Sequence, residues 1–187
     1  NIMASNPGLC LTLEEWEETF AQWVRTPEPQ ALLNATIFFD FRPLYGRFNL
    51  AHRMRLSLFR QTSGNPLFLR MLAQNALSVS PPLGRIRDFV TNADPEHPGT
   101  IDLKKYGVRL FTDAARVFAL ARQVEATNTA TRIKRAGALM NISPEDVAAS
   151  LEGFNFIQLL RLRHQHFEQE HGRDGDNLIR PDELNEI

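Results

Sequence analysis

Apolar positions recur along this chain at three- and four-residue spacing, the period of helices that pack by one face. In "LTLEEWEETFAQWV", Leu13, Trp16, Phe20 and Trp23 fall on one side of a helix, and Thr12 with Glu15 reads as a capping box at its start. "EPQALLNATIFFDF" predicts a second helix, with Pro29 in its first turn. "NLAHRMRLSLFRQT" predicts a third, closed by Gly64. "NPLFLRMLAQNALS" predicts a fourth, capped by Asn65 and opened by Pro66.

The pattern then breaks. "SPPLGRIRDFVTNADPEHPGTIDLKKYG" holds four Pro and three Gly, and reads as an irregular excursion with a β-like piece, "RIRDFV", that suits a small hairpin. Helices resume with "VRLFTDAARVFALARQ", whose buried stripe is expected at Phe111, Ala114, Ala115, Phe118 and Ala121. "TATRIKRAGALMN" follows. The last helix opens at Ser143-Pro144, carries Glu145 and Asp146 at the positive end of its dipole, and stops at Gly172. The prediction is an all-α fold: a helical bundle of about six to seven helices with one irregular insertion holding a short β-hairpin.

Composition narrows the function. The chain has 187 residues, 43% apolar and 23% charged, enough for one globular core. Its formal net charge is -1, so there is no global basic field, and no DNA partner is expected. One cysteine excludes an internal disulfide, which suits a cytoplasmic location. No apolar run approaches the ~20 residues that span a bilayer, so no membrane partner is expected. "RPDELNEI" at the end reads as the first turn of a further helix.

Most familiar catalytic patterns are absent: no phosphate-binding glycine loop, no nucleophile elbow, no HExxH. His164, Glu168 and His171 share one helix face and have metal-like spacing, though a solvated polar face explains them as well. "DGDNLIRPDELN" resembles a calcium loop but puts Ile179 where a glycine is needed and Asn185 where a bidentate Glu is needed. The Trp16/Trp23 stripe fits a core better than a base-stacking platform.

Two constellations remain. In "NATIFFDFRPLYG", Asp40 and Arg42 sit among aromatics, two residues apart. Either each has a partner elsewhere in the fold, or the pair faces a site. In "GTIDLKKYG", Asp102, Lys104 and Lys105 precede a helix, where lysines can hold phosphates. The plainer alternatives are an ion pair fixing a helix end, and a helix-entry loop capped by Asp102 with its lysines in water.

Taken in order, "MASNP", "ALLNATIFFDFRPLYG", "PPLGRIRDFV", "IDLKKYGVRLFTDAARVFAL", "TRIKRAGAL" and "RLRHQ" resemble the nucleotidyltransferase substrate-binding domain of bacterial signal-transduction proteins. The resemblance covers nearly the whole chain. It implies one helical substrate-binding domain over 1–187, the C-terminal piece of a longer multidomain protein. Its partners would be an upstream nucleotidyltransferase domain, similar to the PII uridylyltransferase, and CBS domains of the same chain. A nucleotide or protein acceptor would be the substrate, and a homodimer is compatible with the reading. No cofactor is expected in this chain; magnesium and the nucleoside triphosphate would belong to the upstream catalytic domain. The chain would be non-catalytic alone, contributing Asp40, Arg42, Asp102, Lys104, Lys105, Arg116 and Arg132 to substrate binding. The alternative is a regulatory module that docks CBS or other sensory domains.

Overall fold

A computed structural model describes residues 6–84, 89–93 and 95–182. Its helices are α1 (Leu13–Arg25), α2 (Pro29–Phe38), α3 (Phe48–Ser63), α4 (Pro66–Ala76), α5 (Arg109–Ala121), α6 (Thr129–Leu139) and α7 (Pro144–Glu170). The fold is mostly α, as the periodicity predicts. No described helix is long and apolar enough to cross a membrane.

Local chemistry explains where the helices start. Thr12 Oγ1 accepts from the Glu15 amide at 3.2 Å, while the Thr12 amide donates to Glu15 Oε2 at 2.7 Å. Two otherwise orphaned donors are thereby satisfied. Asn65 Oδ1 accepts from the Phe68 amide at 2.9 Å, and its Nδ2 donates to the Val24 carbonyl at 2.8 Å. One side chain thus starts α4 and ties it to the end of α1. Ser143 Oγ accepts from the Asp146 amide at 3.0 Å to open α7.

The core is aromatic. Phe20, Phe39, Phe59 and Phe68 are buried with Leu58, Leu72, Val117 and Leu120. Each such side chain contributes about 1.5–3 kcal/mol by leaving water. Trp16 and Trp23 both flank Phe38, at ring-centroid distances of 5.5 and 5.6 Å. They are core residues.

The central helix is α5, which packs on α3, α4 and α6. No residue from Leu110 to Ala121 is exposed. Of the expected stripe only Ala115 is buried; Phe111, Ala114 and Phe118 are half-buried against Ile133, Ile142 and Val147 of the α6–α7 region, and Val117, Ala119 and Leu120 are buried instead. Its other sides are covered too, because this helix is surrounded. Its polar residues Asp113, which is buried, and Arg116, which is half-buried, therefore need partners.

The expected hairpin falls largely outside the described residues. Leu83 and Phe89 form a single antiparallel bridge, and 85–88, most of "RIRDFV", lie outside the described residues. The two-stranded sheet joins β1 (Ile101–Asp102) to β2 (Leu178–Ile179), antiparallel, with Ile101 opposite Ile179. Both isoleucines are buried, which favours this long-range pairing. Lys104 and Lys105 also leave the loop reading behind. Lys104–Val108 form a π-helical turn continuous with α5. Beyond β2, Pro181 and Asp182 form a short helical turn; 183–187, the rest of the expected terminal helix, lie outside the described residues.

Candidate functional site

The alternatives left for Asp40 and Arg42 resolve into one residue turned in and one turned out. Asp40 follows the end of α2. Its Oδ1 accepts from Arg132 Nη2 of α6 at 2.7 Å. Its Oδ2 accepts from Arg116 of α5, at 3.1 Å from Nε and 3.0 Å from Nη2. Arg116 continues to Asp113 at 3.2 Å, and Asp113 takes Arg109 at 3.1 Å. Arg132 also donates to the Ala126 carbonyl at 2.6 Å. The network pins α2, α5 and α6 together.

Burial alone would raise the Asp40 carboxyl. The hydrogen bond and charge of Arg132, with those of Arg116, outweigh it and hold Asp40 below its ordinary value. Arg55 closes the other side. It donates to the Phe41 carbonyl, and its guanidinium lies 4.5 Å from the centre of the Phe41 ring. Burial, then the like charge of Arg132, push Arg55 below the usual arginine range. The recess among Asp40, Arg55, Asp113, Arg116 and Arg132 leaves about 20 Å³ for solvent. That admits a water molecule but no nucleotide.

Arg42 lies outside this network. Every residue from Arg42 to Leu50 is exposed. Among the described residues its guanidinium has no hydrogen-bond or ion-pair partner. Asp40 and Phe41, both anchored, make a rigid foot from which Arg42 projects.

The second constellation lies elsewhere. Asp102 Oδ1 accepts from the amides of Lys104 and Lys105, each at 2.9 Å, and so caps the helix. Lys104 is exposed; Lys105 Nζ stands 4.8 Å from the Tyr106 ring centre. Asp102, Lys105 and Tyr106 border a groove of about 740 Å³ that also touches Pro82, Asn92 and Thr100. Lys104 precedes Arg116 by twelve residues of continuous helix, about 18 Å at 1.5 Å per residue. Asp40 therefore borders one recess and Asp102 with Lys105 another, while Arg42 and Lys104, both exposed, line neither.

The other sequence candidates are dispersed. His164 is buried and meets Asp176 at 2.9 Å, Glu168 takes Arg173 at 2.7 Å, and His171 Nδ1 lies 2.8 Å from the Phe167 carbonyl. Among the described residues no group of three His, Cys, Asp or Glu side chains gathers as metal ligands. Arg55 and Asp113 escaped the sequence reading. Asp113 had a signal: a carboxylate three residues before Arg116 in a helix otherwise apolar on several sides.

The profile of the family described as "Putative nucleotidyltransferase substrate binding domain" matches residues 66–187. The chain belongs to that family. A second profile, described as "Putative nucleotidyltransferase DUF294", matches residues 1–30 of this substrate-binding domain protein. No curated protein and no solved structure matches the chain. The segment 31–65, with Asp40 and Arg42, falls between the two family matches. It is nevertheless bound to both: Asp40 reaches Arg116 and Arg132, and Phe39 packs on Phe20 at 4.7 Å between ring centres. Helix α1, matched by the nucleotidyltransferase profile, shares its core with the substrate-binding match through Phe20, Val24 and Phe68.

Proposed function

We propose that this domain grips the phosphates or acidic groups of a substrate for a nucleotidyltransferase whose metal-holding carboxylates lie outside the chain, and that it is non-catalytic in isolation. The observation that supports this best is Arg42, an exposed guanidinium without a partner among the described residues, carried on the anchored Asp40-Phe41 foot. Its position suits the role. The loop that carries it follows α2, which packs on α1, the helix matched by the nucleotidyltransferase profile: Phe38 lies on Trp16 and Trp23, and Phe41 on Phe20.

A planar guanidinium donates two parallel hydrogen bonds to a phosphate or carboxylate, and a rigid base lowers the entropy lost in doing so. In nucleotidyl transfer, magnesium neutralises the triphosphate and aligns the attack. Arg42 would add fixed positive charge at the rim of that cleft. Lys104 and Lys105 form a second grip on the substrate. A signalling role like that of the PII uridylyltransferase belongs to the same proposal.

A second reading, docking of sensory domains such as CBS repeats, draws support from α7. Phe156, Leu159, Leu162 and Phe167 are exposed along that helix.

The test is calorimetric titration of the chain with magnesium–nucleoside triphosphates. Arg42→Ala or Lys104→Ala should weaken binding at least about tenfold, the loss of one charge-assisted contact. Unchanged affinity in both variants rejects the assignment.

A further inference from the structure

From Phe41 to Gly84 the chain contains no Asp or Glu, yet it holds six arginines and no lysine. The formal charge of -1 for the whole chain conceals this segregation. Arg55 is consumed by the Phe41 foot. The other five, Arg42, Arg47, Arg53, Arg60 and Arg70, are exposed. Among the described residues none of their guanidiniums has a hydrogen-bond or ion-pair partner.

Aromatic surface accompanies this charge. Tyr45 is 97% exposed and Phe48 60%. Phe48, His52, Leu56 and Arg60, four residues apart, run along one side of α3, with Arg53 beside them. The result is an exposed row of rings and guanidiniums along α3; Glu125 reaches its edge, 3.7 Å from His52 Nδ1, and leaves the arginines unpaired.

We infer that this face binds a single-stranded polynucleotide. Guanidiniums hold phosphates by charge and by paired hydrogen bonds. Unstacked bases lie on Tyr, Phe or the guanidinium plane itself. The carboxylate at the edge of the row, Glu125, meets His52 rather than an arginine, and the segment itself adds no acid to pair a guanidinium or repel the backbone. A duplex hides its bases and leaves Tyr45 without a task. An acidic protein would use the charge but not a fully exposed tyrosine. The inference extends past the Arg42 grip and survives if that assignment fails, because Arg47, Arg53, Arg60 and Tyr45 carry it.

The test is fluorescence anisotropy with labelled RNA and DNA single strands of about 12 nucleotides, within the usual range of such sites. Duplex and polyglutamate serve as competitors, with the chain at about 50 mM salt. Single strands should bind. The slope of log K against log salt should be about -2, three phosphates at about 0.7 each. Tyr45→Ala should weaken binding about five- to hundredfold, as losing one stacked base does. Arg53→Glu with Arg60→Glu should abolish it, with the thermal unfolding of every variant unchanged. Preference for RNA or for DNA identifies the source, and either supports the proposal. Four results overturn it: no binding up to about 100 µM, the weak end of non-specific affinity; equal affinity for duplex; displacement by polyglutamate; or a Tyr45→Ala variant that binds like the parent. Nucleoside triphosphate titration of the same Tyr45 and Arg53/Arg60 variants should match the parent, which separates this face from the Arg42 grip.

Discussion

Asp40, just beyond the end of α2, and Arg132, on α6, are 92 residues apart in the chain and 2.7 Å apart in the fold. Arg132 is 4% exposed and has no other carboxylate within ion-pair reach among the described residues. Removing Asp40 strands a charge that cannot regain water. Asp40→Ala should cost about 3 kcal/mol, the lower end for a broken buried pair, because the Asp40 side chain keeps 20% of its exposure. Arg42→Ala, two residues away on the solvent side, should change stability by less than about 0.5 kcal/mol. Urea unfolding of both variants measures the contrast. Equal effects would remove the distinction between a structural aspartate and a presented arginine.

The same pair sets an acid dependence. Arg132 and Arg116 hold the folded Asp40 carboxyl below its ordinary 3.8 despite its burial. A depressed carboxyl stabilises the fold fully above the unfolded value, and that contribution is lost as pH falls through the folded one. The stability gap between the parent and Asp40→Asn should therefore be flat from about pH 5 to 7 and shrink below about pH 4. Urea midpoints across that range report it. A gap that stays constant into acid would mean the carboxylate is not what the guanidiniums hold.

Helix starts were legible because their causes are local: Thr12 with Glu15, Asn65 with Pro66, Ser143 with Pro144 all lie within four residues of what they cap. The ambiguity over Asp40 and Arg42 was equally informative, since a charge among aromatics must have a partner or a purpose. What hid was whatever depends on distant chain. Nothing near Asp40 announces Arg132. Nothing near Ile101 announces a strand either, because its partner is Ile179, 78 residues on. Helix α5 was given one buried stripe because periodicity reports one face, and a central helix has none to spare. The acid-free run stands in the letters, but a near-zero net charge averages it away.

Gly137 tests how α6 meets α7. A Cβ there would lie 2.7 Å from Val147 Cγ2. Valine has a stiff χ1 and cannot swing aside cheaply. Gly137→Ala gains helix propensity of about 1 kcal/mol, but overpacking of about 1–3 kcal/mol opposes it, so a net loss is expected. In a Val147→Ala background the same change should turn neutral or stabilising. A double-mutant cycle by thermal unfolding reads the coupling. Additive effects would show that the two helices do not touch at this point.

His164 and Asp176 control the ordering of the second cationic motif. Asp176 Oδ1 faces His164 Nε2 at 2.9 Å and accepts from the Leu178 amide at 2.8 Å, so it holds β2 against α7. β2 pairs with β1, the Leu103 amide donates to the Asn177 carbonyl at 2.9 Å, and Asp102 of β1 caps Lys104 and Lys105. Cutting the first link should loosen the whole series. Asp176→Ala should raise hydrogen exchange at Leu103, Lys104 and Ile179 by about tenfold or more, the loss of at least one hydrogen bond of order 1–1.5 kcal/mol. Amides of α1 to α4 should exchange as before, since the aromatic core does not include this corner. If Lys104 serves in binding, affinity should fall with its ordering, although Asp176 touches no ligand. Exchange confined to Ile179, with Lys104 still protected, would show that the cap stands without the sheet.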